Sequence, residues 1–295
     1  MKASDVMAKV VAELVAAIEA GADEWTMPWR QLGQGWPTNA VTGNRYRGSN
    51  AVWFLFAANR HGYPSPRWAT YKQWAGVGSQ VRRGERATAG IYWHTDPAAN
   101  DDTSNDDDET PAARQPARCG WARAFHVFNA AQVDGDPDPD TAAVQLDPLE
   151  RDAAAEAWFA AVPVSVRWGA GNPCYRRDLD AVVMPAFDAF HTAADAYATL
   201  AHELGHWTGH PSRLDRSFGR RFGDHTYAAE ELVAELSSAF TCAVVGIDTV
   251  ARHDHAAYLA HWCQLLRAQP STLWTIAAKA QAAADHLASY QPPQP

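Results

Sequence analysis

A chain of 295 residues has room for two domains of ordinary size, and 47% hydrophobic content with 13 tryptophans excludes a disordered tail. No apolar run approaches the roughly 18 residues that span a bilayer, so no membrane partner is expected. No G-x-x-x-x-G-K-[ST] occurs, which leaves a nucleotide-driven motor or kinase without support. The net charge of −9 hides an asymmetry between the two halves.

Residues 1–24 read as an amphipathic helix, with Ser4 as N-cap, Val6, Val10, Leu14 and Ile18 on one stripe, and Gly21 as terminator. Glu13 and Glu19 interrupt the apolar run and no small-residue cleavage site follows, so the segment lacks a signal-peptide pattern and none is expected. Cys119, Cys174, Cys242 and Cys263 form no C-x-x-C pair and read as buried thiols of a cytoplasmic protein.

Residues 25–95 hold nine Arg or Lys against one acid, Glu85, together with thirteen aromatics. Cations interleaved with rings suit single-stranded nucleic acid, since the cations follow phosphates while unpaired bases stack. The expected contacts are Arg45, Tyr46, Arg47, Arg67, Trp68, Lys72, Trp74, Arg82, Arg83 and Arg86, although tryptophans in such a window also build cores. Residues 96–112 carry seven acids and no base, and read as a disordered loop interrupting a hairpin between strand-like segments 89–94 and 125–129. Asp134-Gly-Asp-Pro-Asp-Pro-Asp reads as the linker that ends the first domain, giving domains 1–140 and 141–295. The second carries eleven basic and seventeen acidic residues, so the nucleic-acid signature belongs to the first alone.

In the second domain, the segment from Asp180 to Phe187 looks like a short strand closed by Pro185; an exposed edge strand there could hold a peptide as an added strand, and an ordinary internal strand fits the sequence equally well. The proline-free run from Asp195 to Trp207 follows as a helix, with Tyr197, Leu200, Ala201, Leu204 and Trp207 recurring at spacings of three and four. It contains His202-Glu203-Leu204-Gly205-His206. Positions i and i+4 share a face, so His202 and His206 can grip one metal ion, and Glu203 can act as general base towards a water in the metal's open position. This is the arrangement zincin peptidases use to hydrolyse a peptide bond.

A catalytic zinc site needs a third protein ligand. Six residues after His206 stands Ser212, so the three-histidine solution of the metzincins is absent, although Gly209 keeps their glycine position and His210 lies too close along the chain. The helical run Tyr227-Ala-Ala-Glu-Glu-Leu-Val-Ala-Glu-Leu supplies a glutamate instead. Glu231 is the expected ligand and Glu235, one turn on, the residue that orients a ligand histidine; Glu230 is the rival for the ligand role. The expected ion is Zn2+ or another divalent metal. His253, His255 and His261 read as surface residues rather than a second metal site.

Pro28-Trp29-Arg30, Pro37-Thr-Asn-Ala-Val-Thr-Gly-Asn-Arg-Tyr-Arg-Gly-Ser-Asn, Pro66-Arg67-Trp68-Ala-Thr-Tyr-Lys72, Val81-Arg-Arg-Gly-Glu85 and Val127-Phe-Asn-Ala-Ala-Gln132 resemble the N-terminal domain of ArdC-type antirestriction proteins. Related domains precede some plasmid conjugative primases. The later half, from Met184-Pro through the histidine motif, Ser212-Arg-Leu-Asp-Arg216 and Glu230-Glu-Leu-Val-Ala-Glu235, resembles the zincin-like metallopeptidase domain joined to it in that family. The long acidic insert departs from the pattern.

The resemblance implies a single-stranded DNA-binding domain fused to a metallopeptidase domain, protecting incoming plasmid DNA from host restriction. The expected fold is α+β in both domains, with DNA and a host protein or peptide as partners. Two alternatives stand beside this reading: a regulatory metalloprotease that cleaves a repressor or host protein, and a DNA-binding module whose metal domain is only structural.

Overall fold

The computed structural model describes residues 3–20, 35–94, 121–136, 151–169, 171–216, 225–247 and 256–292. The acidic segment 96–112, Gly21, His253, His255 and the end of the 134–140 linker lie outside them.

Helix α1 (Ala3–Ala20) buries Val6, Val10, Leu14 and Ile18 as the stripe predicts. It starts at Ala3, so Ser4 stands within its first turn rather than before it. A four-stranded sheet follows, in the order β1 (Thr38–Asn39), β2 (Arg67–Ala69), β5 (Trp121–Asn129), β4 (Thr88–His94). β1 runs parallel to β2 and the other pairs are antiparallel. The β4–β5 pairing bears out the expected hairpin. Gly90 lies opposite Phe125 in it, and a Cβ at Gly90 would meet the Phe125 ring at 2.4 Å, so only glycine leaves room for that ring.

Helix α2 (Gly48–His61) is buried continuously from Ala51 to Ala58, and ends where Gly62 takes φ 65°. Helix α3 (Tyr71–Gly76) opens with a reciprocal cap between Thr70 and Gln73, and a two-stranded ribbon pairs β3 (Gln80–Val81) with β6 (Val133–Asp134).

The second half opens with α4 (Ala153–Ala160), capped by Asp152, and a three-stranded sheet. In that sheet β9 (Ala181–Met184) lies between β7 (Ser165–Trp168), parallel to it, and β8 (Cys174–Arg176), antiparallel. The expected edge strand is therefore the central strand. Its backbone is paired on both sides and Ala181, Val182 and Met184 are buried, so it has no free edge for a peptide. β8 is an edge strand in its place, and it packs beside the histidine helix. Helices α5 (Ala193–Thr208), α6 (His225–Val245), α7 (Ala256–Ala268) and α8 (Thr272–Ala288) complete the α+β architecture.

One core joins α1, α2 and the first sheet to α6, α7 and α8, through Phe54, Trp68, Ile91, Val127, Leu236, Phe240, Trp262 and Leu273. Another lies between α4, β9, α5 and the ends of α6 and α8. The first core thus crosses residue 140, and the N-terminal sheet rests on helices from the second half. Among the described residues no helix is long and apolar enough to cross a membrane.

Candidate metal centre

Thr192 starts α5 by accepting a hydrogen bond from the Asp195 amide at 3.0 Å, and the apolar stripe through Tyr197, Leu200, Leu204 and Trp207 faces the core. Gly205 sets how closely α5 meets α6. A Cβ there would lie 2.3 Å from the Ser237 hydroxyl and 3.1 Å from the Ala234 Cα, so the two backbones approach to a distance only glycine allows.

That approach brings α6 carboxylates to the α5 histidines. The His202 and His206 rings stand 4.9 Å apart. Their Nε2 atoms are each 3.6 Å from a different oxygen of Glu231. The two nitrogens and one carboxylate oxygen lie within 4.8 Å of one another. Ligand atoms around tetrahedral zinc stand about 3.3 Å apart, so a cation fits between these three donors with small side-chain adjustments. Two imidazoles and a carboxylate are also a donor set that first-row metals accept.

The other ring nitrogens are occupied as well. His202 Nδ1 lies 3.6 Å from Glu235, the residue expected to orient a ligand histidine. His206 Nδ1 lies 3.3 Å from Glu230. Glu230 does not compete with Glu231, because Arg216 engages both its oxygens, at 3.0 and 2.8 Å. The same guanidinium donates to the Gly205 carbonyl at 2.6 Å and to the Thr208 hydroxyl at 2.8 Å, tying the end of α5 to α6. Sequence reasoning gave neither Arg216 nor the His206–Glu230 contact a role. The signal was Arg216, the second of two arginines in Ser212-Arg-Leu-Asp-Arg, placed before an acid-rich helix.

Burial works against charge on the histidines, but the carboxylates outweigh it. Hydrogen bonds to Glu230 and Glu231 raise His206 to about 10, and Glu231 and Glu235 raise His202. Burial would likewise raise Glu231, yet the two histidines hold it well below the usual carboxylate range. A pocket that keeps protons this firmly is built for positive charge, which a divalent cation replaces.

Glu203 follows His202 on the helix and is 7% exposed, yet its carboxylate has no hydrogen-bond partner among the described residues. Cys174 on β8 is close enough that, after burial, the Glu203 charge is what raises its thiol. The turn joining β8 and β9 is held against α5 by Arg213, which donates to Asp180 at 2.5 and 3.0 Å and to the Trp207 carbonyl at 2.7 Å.

The expected DNA contacts separate into three groups. Arg45, Lys72, Arg83 and Arg86 are exposed. Arg47 and Arg82 are exposed but engaged, Arg47 by Asp285 of α8 and Arg82 by the Ala131 carbonyl, Glu85 and Asp134. Arg67, Trp68 and Trp74 are buried, and Tyr46 is half-buried. Arg67 pairs with Asp136 at 2.7 Å, Trp68 stacks on Phe54, and the Trp74 indole donates to the Phe128 carbonyl at 3.0 Å. Tyr46 packs on Phe54 and Phe125, and its hydroxyl accepts from Asn39. Trp68 and Trp74 therefore offer no ring face to a base, because both side chains are fully buried.

Over 97% of its length the chain matches the metal-free crystal structure of the antirestriction protein ArdC of plasmid R388, with 33% identity, a TM-score of 0.76 and 97% of that chain covered. The chain belongs to the ArdC family. The family model for the N-terminal domain of the anti-restriction factor ArdC matches residues 4–128, and that for a zincin-like metallopeptidase matches residues 153–279. The Mn(II)-bound form of R388 ArdC matches with 34% identity and a TM-score of 0.74, over 96% of this chain and 97% of that one. An uncharacterized protein of Sinorhizobium fredii, y4eC, is 40% identical over 291 residues, covering 98% of this chain and 93% of its own length. The DNA primase TraC of Escherichia coli is 36% identical over 303 residues, which take in 97% of this ArdC-family chain and 27% of the primase.

Proposed function

We propose that this ArdC-family protein binds single-stranded DNA and protects incoming plasmid DNA from host restriction in the cytoplasm, and that its His202–His206–Glu231 centre holds zinc and hydrolyses a peptide bond. The observation that carries the peptidase reading is Glu203. It stands beside both ligand histidines and its charge bears on each of them, while among the described residues no hydrogen bond engages its carboxylate, which leaves it available to accept a proton. A structural metal site would need only the ligands and their supporting carboxylates.

A divalent cation held by His202, His206 and Glu231 would supply Lewis acidity, polarising the scissile carbonyl and acidifying water. The chain's own residues do the rest. Glu203 takes the proton from the attacking water and returns it to the leaving amine. Glu235 and Glu230 fix the two imidazoles so that each presents Nε2. The edge of β8 that no strand pairs among the described residues can take an extended peptide alongside α5.

On the DNA side, the exposed cations Arg45, Lys72, Arg83 and Arg86 support the reading, assigned to the first 140 residues. The test compares wild type with Glu203→Gln, both loaded with zinc or manganese, against a proteome-derived peptide library. Cleavage should fall at least about a hundredfold, since general-base removal costs roughly two to four decades. Metal content and single-stranded DNA binding should not change. Equal cleavage by both proteins would place the chemistry elsewhere.

A further inference from the structure

Away from the metal centre, a groove of about 560 Å³ opens where α3 meets the β3–β6 ribbon, lined by Tyr71, Arg82, Arg83, Glu85, Phe128 and Asp134 among others. Its size lies within the range that holds small organic ligands. Tyr71 is 51% exposed, one of the few large apolar side chains the described residues leave open to solvent. The ring is nevertheless fixed: its hydroxyl accepts from Gln80 Nε2 at 3.0 Å, and its edge meets Phe128 at a centroid distance of 6.3 Å. A rigid aromatic face open to water is a stacking platform, because little side-chain entropy is lost when a flat ring lands on it.

The charges around it are arranged for a phosphate beside that ring. Glu85 and Asp134 line the groove, but Arg82 lies between them, at 3.1 Å from one and 3.5 Å from the other, and Glu85 also accepts from Gln132 at 2.9 Å. Arg82 thus pairs with both acids and offsets one of their two charges. Arg83, next in the chain, is exposed and has no such partner among the described residues. Lys72 follows Tyr71 and Arg86 follows Glu85, both exposed, so the unpaired charge around the groove is positive.

We propose that this groove seats one nucleotide of a single DNA strand, with its base on Tyr71 against Phe128 and its backbone phosphates on Arg83, with Lys72 and Arg86 receiving the neighbouring ones. The assignment rests on the single-stranded DNA reading above and gives it a place. It moves the stacking function from Trp68 and Trp74, which are buried, to a ring the composition count did not single out. Duplex DNA does not fit the site, because its bases present no free face.

The test uses the full chain, wild type and variants, with a fluorescein-labelled oligothymidylate read by anisotropy across a salt series. Tyr71→Ala should weaken binding about five- to a hundredfold without changing the salt slope, as loss of one stacked base implies. Tyr71→Phe should bind within about twofold of wild type, since stacking needs the ring and not the hydroxyl. Arg83→Ala should reduce the slope of log K against log salt by about 0.7, one phosphate on a single strand. A photoreactive iododeoxyuridine oligonucleotide should crosslink to the peptide containing Tyr71. If wild type binds the oligonucleotide and Tyr71→Ala binds it equally, the groove is the wrong place while single-stranded binding stands. If wild type does not bind it at all, the DNA reading and this assignment both fall.

Discussion

Arg216 is the side chain whose removal tests most directly how the metal centre is supported. It is buried and makes four hydrogen bonds: two to Glu230, one to the Gly205 carbonyl and one to the Thr208 hydroxyl. In Arg216→Met the side-chain volume is largely kept, but Glu230, equally buried, retains only His206 as a partner. Breaking a buried ion pair from one side costs about 3–5 kcal/mol, and stranding the Gly205 carbonyl places the loss towards the upper end. Against a total stability of about 5–15 kcal/mol that is a large fraction, readable as a displaced urea midpoint. His206 also loses the anchor of its supporting carboxylate, so metal affinity should fall about 10–100-fold. Arg216→Met combined with Glu230→Gln removes the stranded charge and should recover more than about 1 kcal/mol of the loss, since a neutral buried amide is far cheaper than a charge. Urea unfolding of the metal-free proteins and competition with a chromogenic chelator measure the two effects separately. A single-variant loss below about 1 kcal/mol with unchanged metal affinity would refute the reasoning, as would a double variant no more stable than the single.

Glu231→Ala should abolish stoichiometric metal binding in elemental analysis, whereas Glu230→Ala should retain the ion with weakened affinity; the reverse result would exchange their roles. Gly205→Ala should cost about 1–3 kcal/mol of stability by chemical denaturation, and Ser237→Ala should restore only part of it, because the 3.1 Å contact with the Ala234 Cα remains. In the metal-free protein the raised His206 stabilises the fold fully below its ordinary 6.5, and that contribution is lost as pH rises through about 10. Metal replaces this proton, so calorimetry at pH 7 in buffers of different ionisation enthalpy should show about one or more protons released per ion, with affinity rising towards alkaline pH. Binding without proton release would contradict the imidazolium–carboxylate cluster.

The metal centre was legible because its geometry is local: a four-residue histidine spacing on a proline-free helix leaves one face to bind from, and an acid-rich helix must supply what that face lacks. Choosing between Glu230 and Glu231 needed Arg216, a partner from a different segment that no spacing rule connects to either. The strand error has a simpler origin. Ala181-Val182-Val183-Met184 is a continuous apolar run, the mark of a strand covered on both faces, whereas an edge strand with one face in water would alternate. Two of the rings singled out in the aromatic window, Trp68 and Trp74, are buried. Composition counts aromatics without knowing which are needed for the core, and Trp68 and Trp74 are fully buried in it while Tyr71, on the first turn of α3, faces out. Opposite charge in the two halves likewise suggested separable modules, but charge patterning concerns surfaces and says nothing about whether the apolar interior is continuous.

Helix α6 has a second consequence as the wall between two interiors. Leu232, Leu236 and Phe240 face the core shared with the N-terminal half, and Trp36 of that half meets Phe240 edge-on at 5.2 Å. Glu231 and Glu235, on the same helix, face the histidines. Side chains reach about 5–6 Å from a helix axis, so a roll of about 10° displaces a carboxylate by roughly 1 Å. Misplacement on that scale can cost about a hundredfold in rate. Whatever displaces the N-terminal half against α6 therefore acts on the metal centre through a lever one helix wide. For a DNA strand bound as proposed, thermodynamic reciprocity requires the converse: the factor by which metal alters affinity for the strand must equal the factor by which the strand alters affinity for metal.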